Sequence, residues 1–258
     1  MRVNPLRAQL AEGRPIIGLI CFEFSTSGIS RLAAAAGADF VMFDMEHSGW
    51  SIETIRQLLA ATRGSGVSPL VRVSEAQRHL VSRPLDLGAL GVMVPMVESA
   101  DEARRLVEFA RFPPGGTRGV GAYYPDDIAD GLATSLERAN REQLLIAQIE
   151  TVAGVEHAHE IAAVDGIDLL WIGHFDLTTS LGVPGQFGHE LHDAAVAQVL
   201  AAAAAAGKHV GTMANDIADG QELLRQGYRA IVYGDALLFT GALRSAVGAL
   251  RQGESASG

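Results

Sequence analysis

Short runs of strongly apolar residues alternate with helical patterns along this chain of 258 residues, and this alternation limits the folds open to it. Each run is rich in valine, isoleucine, leucine or phenylalanine and is bounded by turn residues, which is typical of strands buried in a parallel sheet. Apolar residues at helical spacing lie between the runs, most clearly over 52–62, 100–110 and 194–206. The predicted strands are 16–20, 40–43, 69–73, 92–95, 144–149, 167–172, 209–212 and 230–233.

Eight strands alternating with helices over this length predict an α/β fold, a (β/α)8 TIM barrel that spans 1–258 as a single domain. An open, doubly wound sheet has the same repeating unit and is the alternative. The barrel is favoured because no glycine-rich dinucleotide fingerprint follows the first strand. The connection over 112–142 is too long for a simple loop and predicts a helix of its own. Five glycines are predicted to end the helices that precede strands: Gly37, Gly66, Gly91, Gly207 and Gly227.

The charge balance and the single cysteine restrict the partners and the compartment. Thirty acidic residues against 20 basic ones give a formal net charge of -10, so the protein lacks the basic field that attracts nucleic acid or an anionic membrane. We expect no signal peptide and no membrane span. Because Cys21 is the only cysteine, an internal disulfide is excluded and the reducing cytoplasm is the expected location.

Charged and polar side chains collect where the predicted strands end, which is where TIM barrels carry their active sites. A charge inside an apolar strand is unfavourable unless it is paired or bound to a metal. The cluster therefore predicts either buried ion pairs, such as Arg72 with Glu150, or a functional site. Its members are Asp44, Glu46 and His47 after the second strand, Arg72 in the third, Gln148 and Glu150 in the fifth, and His174 and Asp176 after the sixth.

The functional interpretation is a hard divalent cation held by Glu150 and Asp176. Two carboxylates that leave several coordination positions open suit Mg²⁺ or Mn²⁺, which retain water and accept substrate oxygens. Zinc is less favoured because no histidine and cysteine set has the usual zinc spacing.

Six segments then point together to a known family: FDMEH at 43–47, LVRV at 70–73, GVMVPMV at 91–97, RFPPGGTRG at 111–119, QIET at 148–151 and IGHFDLT at 172–178. In this order they resemble the HpcH/HpaI family of class II, metal-dependent pyruvate aldolases, which includes 4-hydroxy-2-oxoheptanedioate and 2-dehydro-3-deoxyglucarate aldolases. The resemblance covers about 18–238. It implies reversible cleavage of a 4-hydroxy-2-oxoacid into pyruvate, or hydroxypyruvate, and an aldehyde, through a metal-stabilised enolate.

The resemblance also implies roles for individual residues. Glu150 and Asp176 match the metal ligands, and Gln148 lies beside them in the pocket. Arg72 matches the arginine that contacts the 2-oxo oxygen and stabilises the enolate.

His47 matches the acid–base histidine, with Asp44 close to it in the same loop. The backbone amides just before the second metal ligand, at Gly173, His174 and Phe175, match those that receive the substrate carboxylate. Phe175 departs from the family, which has a small residue there, so the shape of the pocket differs.

Asp86 matches an acid that pairs with this histidine in the family, although the predicted strands put it at the opposite end of its own barrel. A neighbouring subunit would have to supply it. Such an arrangement fits homohexamers or trimers in which a C-terminal helix is exchanged between protomers. Tyr123 and Tyr124, in the long connection, are expected to face the aldehyde.

The alternative functions are another aldolase mechanism, related metal-enolate reactions, and binding without catalysis. The only lysine, Lys208, precedes a strand, which excludes the Schiff-base aldolase mechanism. Oxaloacetate decarboxylation and a citryl- or malyl-CoA lyase would use the same metal enolate, and His47 argues against the CoA lyases. A catalytically silent 2-oxoacid-binding protein would be expected to lack Glu150, Asp176 or Arg72, and all three are present. The remaining histidines, His192 among them, are expected in surface or helix-capping positions.

Overall fold

Eight parallel strands close into a barrel in the computed structural model, which describes residues 3–121 and 128–255. The strands pair in chain order, and β1 pairs with β8 from Ile16 opposite Ala230 to Ile20 opposite Gly234. The predicted TIM barrel is therefore confirmed, and the open sheet is excluded. The strands are β1 (Ile16–Cys21), β2 (Phe40–Asp44), β3 (Ser68–Arg72), β4 (Gly91–Val94), β5 (Leu144–Ile149), β6 (Leu169–Ile172), β7 (His209–Met213) and β8 (Ala230–Gly234).

Most of the helices lie outside the barrel, although the first, Pro5–Ala11, contributes Leu6 and Leu10 to the apolar cluster inside it. The long connection contains the predicted helix, at Leu132–Glu142. The third predicted helix starts earlier than expected, at Glu190, because the His189 side chain accepts the Leu191 amide as an N-cap and the first turn is polar. The helices are α1 (Pro5–Ala11), α2 (Ile29–Ala35), α3 (Ile52–Thr62), α4 (Arg78–Asp86), α5 (Ala100–Ala110), α6 (Leu132–Glu142), α7 (Val152–Glu156), α8 (Ala158–Ala162), α9 (His174–Ser180), α10 (Glu190–Ala205), α11 (Ile217–Arg225) and α12 (Asp235–Ser255). None of the described helices has the length and apolar character needed to cross a membrane.

The strands read as continuous apolar runs because both of their faces are buried. In β2, Phe40 and Met42 belong to the cluster inside the barrel, whereas Val41 and Phe43 belong to the shell between strands and helices. Both layers exclude water, so each strand loses the alternation of apolar and polar residues that a one-sided sheet shows.

Four of the five glycines predicted to end helices have the positive φ that this position requires, namely Gly37, Gly66, Gly207 and Gly227. The prediction is wrong for Gly91, which is the first residue of β4; Gly88, with φ of 107°, makes that turn. Gly91 is needed for space instead, because a Cβ there would lie 2.5 Å from the carbonyl oxygen of Leu144 on the next strand.

Partly buried acids at the amino ends of the strands link the barrel to its surroundings. Asp39 accepts the Ile17 amide at 2.8 Å and the Gln9 side-chain amide at 3.1 Å. Asp168 accepts the Leu145 amide at 2.9 Å and pairs with Arg7 at 2.7 Å. These groups have their partners within the fold, so their role is structural.

Asp235, the first residue of α12, fastens the junction between the first and last strands. Its carboxylate accepts the amides of Phe22, Glu23 and Phe24 at 3.2, 3.1 and 2.8 Å. Beyond this point α12 packs mainly on β1 and β8 at its start and leaves apolar side chains exposed. The exposed side chains are Leu237, Leu238, Phe239, Leu243 and Leu250.

Candidate active site

A cavity of about 450 Å³ opens at the carboxyl ends of the strands and gathers most of the predicted site. It is lined by His47, Arg72, Gln148, Glu150 and Asp176, together with the segment 173–175 at the start of α9. The strands β2, β3, β5 and β6 thus bring these side chains to one rim, as the sequence predicted.

Asp44 and Arg72 form a buried pair beneath the cavity. They end neighbouring strands in direct register, and Nε of Arg72 donates to Oδ1 of Asp44 at 2.5 Å. Nη1 of Arg72 lies 3.1 Å from Oε2 of Glu46, and the Phe22 ring lies 5.5 Å from the guanidinium carbon. The arginine is therefore paired with Asp44 and Glu46, and the alternative of an Arg72–Glu150 pair is wrong.

One nitrogen of this guanidinium is left over. Nη2 of Arg72 is buried and has no hydrogen-bond partner among the described residues. A buried charged donor without a partner is energetically unfavourable, and such groups commonly mark positions that a ligand fills. The pair thus presents a fixed, unsatisfied donor beside the cavity.

His47 is positioned by its backbone. The second carboxylate oxygen of Asp44 accepts the His47 amide at 2.7 Å, and the hydroxyl of Ser48 donates to the Asp44 carbonyl. The His47 imidazole remains about half exposed, with Nε2 at 3.7 Å from Oε2 of Glu46. Asp44 therefore orients the arginine and the histidine loop together.

Glu150 lies at the base of the cavity with both oxygens engaged. Oε1 accepts the Met96 amide at 2.9 Å, and Oε2 accepts from the Gln148 side chain. Gly173 is required opposite this carboxylate, because a Cβ there would lie 2.2 Å from Oε2. The amide oxygen of Gln148, Oε1, is buried and has no partner within the described ranges.

Three acids influence one another across the cavity. Burial raises the pKa of Glu150 to about 7, against the hydrogen bonds from Gln148 and Met96 that lower it, and the charges of Glu46 and Asp176 raise it further. Burial likewise raises the pKa of Glu46 to about 7, opposed by Arg72. The charges of Glu46 and Asp176 therefore reach the Glu150 carboxylate.

These residues fit a divalent cation of the hard type. Within 3–121 and 128–255, no group of three or more histidine, cysteine or acidic side chains converges on one metal position. A cation here would therefore be held by Glu150 and Asp176 and would take its other ligands from water and substrate, which suits Mg²⁺ or Mn²⁺.

A second arrangement, of two histidines, lies in the same cavity. Nδ1 of His174 and Nε2 of His192 are 2.8 Å apart, which joins the start of α9 to α10. Burial, and then His192, lowers the pKa of His174 to about 4. Nδ1 of His192 faces Oδ1 of Asp193 at 3.3 Å and the Gly188 amide at 3.5 Å.

Comparison with known proteins agrees with this geometry. Residues 23–239 match the family described as HpcH/HpaI aldolase/citrate lyase. The chain belongs to this family. It is therefore a carbon–carbon lyase of the aldolase type.

Relatives of known activity and structure cover almost the whole chain. A 2-keto-3-deoxy-L-rhamnonate aldolase of Salmonella gallinarum is 33% identical over 98% of this chain and 96% of that protein. A hydroxypyruvate/pyruvate aldolase of Delftia acidovorans is 35% identical over 90% of this chain and 86% of the length of that protein. The crystal structure of an HpcH/HpaI family protein from Burkholderia cenocepacia is 34% identical, with a TM-score of 0.89, and covers 96% of this chain and 100% of that one.

Asp86 is the predicted residue that this aldolase fold does not bring to the cavity of its own chain. It ends α4, and Oδ1 accepts Nε and Nη2 of Arg118 at 2.9 and 2.7 Å. The two line a separate small recess beside α6. Its predicted contact with His47 would require a second chain. Tyr123 and Tyr124 lie outside the described residues.

The sequence interpretation missed three groups that line or adjoin the site. Glu46 was noticed within its motif but given no role, although the acid directly before the histidine was the available signal. His192 was assigned to the surface, yet it is buried against His174. Tyr228 precedes β8 and gave no signal, but it is fully buried and lines the cavity.

Lys208 lies before β7 and outside the lining of this cavity, in agreement with its exclusion as a Schiff-base residue.

Proposed function

We propose that the protein is a metal-dependent aldolase that reversibly cleaves a 4-hydroxy-2-oxoacid into pyruvate, or hydroxypyruvate, and an aldehyde. The observation that carries this proposal is the buried Nη2 of Arg72, which has no partner among the described residues and belongs to the same cavity lining as Glu150 and Asp176. An arginine donor and a cation site side by side form a place for the carbonyl oxygen of a 2-oxoacid, where negative charge develops during the reaction.

A divalent cation between Glu150 and Asp176 would supply Lewis-acid stabilisation of that charge. Arg72 donates to the 2-oxo oxygen from Nη2, while Asp44 and Glu46 hold the other guanidinium nitrogens. Because those contacts fix the guanidinium before substrate arrives, little reorganisation is needed as charge develops.

His47 is the group placed to move the proton. In the cleavage direction it takes the proton from the 4-hydroxyl, the bond between carbons 3 and 4 breaks, and the electron pair passes into the enolate as the aldehyde leaves. Protonation of carbon 3 then yields pyruvate. The half-exposed imidazole at the rim and the hydrogen bond from the His47 backbone amide to Asp44 support this role.

The carboxylate of the oxoacid is proposed to bind the first amides of α9, at His174 and Phe175. Amides in the first turn of a helix have no partner within the helix. Phe175 is 54% exposed and stands edge-on to Phe187 with 5.1 Å between the ring centroids. This aromatic wall narrows the space beside the carboxylate, where the family has a small residue.

The test is a turnover assay on metal-stripped protein. We expect pyruvate and short aldehydes to condense only after Mg²⁺ or Mn²⁺ is restored, followed as loss of pyruvate. Absence of metal-dependent turnover with every aldehyde would refute the proposal. Oxaloacetate in the same assay tests the decarboxylase alternative, since that reaction uses the same enolate but needs no aldehyde.

We also propose that the active unit is a homo-oligomer, a hexamer or trimer, in which α12 packs on a second chain and Asp86 reaches the His47 of a neighbour. The exposed apolar side chains of α12 support this, since apolar patches of this kind are covered by partners. The expected site in the cell is the cytoplasm, where the buried, unpaired Cys21 stays reduced.

Mixing two inactive variants tests the shared site. His47→Ala and Asp86→Ala are each expected to be inactive alone, and mixed oligomers should regain part of the activity because some sites receive both intact residues. Light scattering on each variant checks that assembly is unchanged. No recovery in mixtures shown to exchange subunits would place Asp86 outside the reaction.

A further inference from the structure

The carboxylate of Asp235, at the start of α12, holds the loop that leaves β1 and forms part of the cavity wall. The side chain is 3% exposed and accepts the amides of Phe22, Glu23 and Phe24 at 3.2, 3.1 and 2.8 Å. It also accepts the amide of Ala236 at 2.7 Å. Successive backbone amides that converge on one carboxylate form a concave anion site, so the loop has to curve around Asp235. The side chain therefore fixes the path of the chain directly after β1.

Phe22 is the residue of this loop that reaches the cavity. Its side chain belongs to the lining, whereas Asp235 does not. The ring packs over the end of β8, where a Cβ added to Gly234 would lie 3.8 Å from Cε2 of the ring. The ring centroid lies 5.5 Å from the guanidinium carbon of Arg72, a separation at which the face of a ring attracts a cation. The loop that Asp235 holds thus ends in a contact with Arg72.

The guanidinium of Arg72 is held at its edges by acids and covered on one face by this ring. Nε donates to Asp44 and Nη1 lies 3.1 Å from Glu46, while Nη2 has no partner among the described residues. Hydrogen bonds lie in the plane of a guanidinium and leave its faces open to water or to an aromatic ring. A ring on that face keeps water away from the charge, which strengthens its interaction with a substrate oxygen at Nη2.

We propose that Asp235 is a positioning residue for Arg72, which acts through the loop at 22–24 and the ring of Phe22. With its amides held by Asp235, the loop keeps the ring over the guanidinium, and the free donor stays in place as negative charge develops on the substrate. Loss of Asp235 should therefore weaken binding of a charged enolate more than binding of the neutral carbonyl group. This inference rests on the proposed function for the role of Arg72.

Asp235→Asn tests the proposal because it removes the charge and replaces one accepting oxygen with an amide nitrogen that cannot accept. The probe is oxalate in the presence of Mg²⁺, since oxalate carries negative charge where the enolate of pyruvate carries it and undergoes no aldol reaction. Calorimetric titration should show oxalate binding about tenfold more weakly to the variant, while the affinity for pyruvate changes by no more than about twofold. In the condensation assay kcat should fall about tenfold with KM nearly unchanged.

Phe22→Leu provides a second test that leaves the Asp235 carboxylate intact and holds even if Asp235→Asn does not fold. Leucine keeps an apolar side chain but has no ring face, so the affinity for oxalate should again fall about tenfold. In an Arg72→Gln background, either substitution should change the affinity for oxalate by less than about twofold, because the guanidinium through which both act is absent.

Asp39→Asn is the matched control. Asp39 also accepts a backbone amide, that of Ile17 at 2.8 Å, but at the amino end of the barrel. The substitution should lower stability and leave the binding of oxalate and pyruvate within about twofold.

Three results would overturn the positioning role. They are equal losses of oxalate and pyruvate affinity in Asp235→Asn, unchanged oxalate binding in Phe22→Leu, and a tenfold loss that persists in the Arg72→Gln background. A selective loss of oxalate affinity in a protein without aldolase turnover would uphold the positioning role while the proposed function fails. Aldolase turnover with oxalate binding unchanged in both variants would show the reverse.

Discussion

Both ends of the barrel carry acids that are at least partly buried, but the contacts of these acids differ, and β2 shows the contrast within one strand. Asp39 precedes β2, and its carboxylate accepts hydrogen bonds from a β1 amide and from Gln9, so both of its oxygens have partners within the fold. Asp44 ends β2 and accepts from Arg72 and from the His47 amide, and both of these residues line the cavity.

The same contrast holds for the unpaired atoms. At the amino end, Asp168 has both a backbone donor and Arg7. At the carboxyl end, Nη2 of Arg72 and an oxygen of Gln148 are buried without partners among the described residues, and Glu150 has a pKa raised to about 7. The charges described at the amino end are therefore paired within the fold, whereas the described part of the carboxyl end contains buried polar atoms that have no partner.

The largest expected effect is at the carboxyl end. Glu150→Gln keeps the shape of the side chain and removes its charge. We expect kcat/KM with Mg²⁺ to fall by about 10²–10³ or more, as when a charge-stabilising group is lost. The melting temperature without metal should not fall, because a buried charge with a raised pKa is removed.

Asp168→Asn is the matched substitution at the amino end. It weakens the pair with Arg7 and should lower stability by about 1 kcal/mol while kcat/KM stays within about twofold. Loss of activity in this variant with its stability intact would contradict the division between the two ends.

Arg72→Lys is expected to have the next largest effect. A lysine keeps the positive charge but cannot reach Asp44, Glu46 and the substrate oxygen with one planar fork. We expect kcat to fall about 100-fold, with a smaller change in KM, because the lost contact strengthens as charge develops.

Arg7→Lys is its counterpart, at a position where the arginine side chain is 32% exposed. Steady-state kinetics should be unchanged and stability should fall by no more than about 1 kcal/mol. Equal kinetic losses in the two variants would mean that the arginine at the rim acts only through the fold.

The smallest loss of activity expected at the carboxyl end comes from substitution of Gly173, and Gly91 is its counterpart for stability. Gly173→Ala places a methyl group against the Glu150 carboxylate, which must shift, so we expect kcat/KM to fall about tenfold with little loss of stability. Gly91→Ala places the same methyl group against a backbone carbonyl of β5, which cannot shift, and should lower stability by about 1–3 kcal/mol. Thermal unfolding and initial rates on both variants check this, and the reverse pattern would contradict it.

The sequence predicted the barrel well because its strands are buried on both faces. Every predicted strand overlaps the observed one with bounds within two residues, since such strands leave unbroken apolar runs between turn residues. It also placed Arg72, Glu150 and Asp176 correctly, because strand direction alone decides which end of a barrel a residue occupies.

The sequence did not predict the contacts between helices that are distant along the chain. The His174–His192 pair joins residues 18 positions apart on α9 and α10, and a single histidine in a helix carries no sign of its partner. Tyr228 is an isolated aromatic residue before β8, and the apolar pattern of this segment predicts the strand but not the burial of the tyrosine. Family resemblance supplied the role of Asp86, but not its bond to Arg118, which depends on the folded path of the long connection.

Because Asp235 lies near the end of the chain, the hydrogen bonds that it makes to the loop after β1 can form only late in synthesis. The amides that it accepts, at Phe22 to Phe24, emerge from the ribosome more than 200 residues before it, at separations of 211 to 213 positions. The loop after β1, whose Phe22 lies over the Arg72 guanidinium, is therefore fixed only when β8 has been made. A nascent chain therefore cannot complete this part of the rim, which borders the proposed active site, before its last strand has been synthesised.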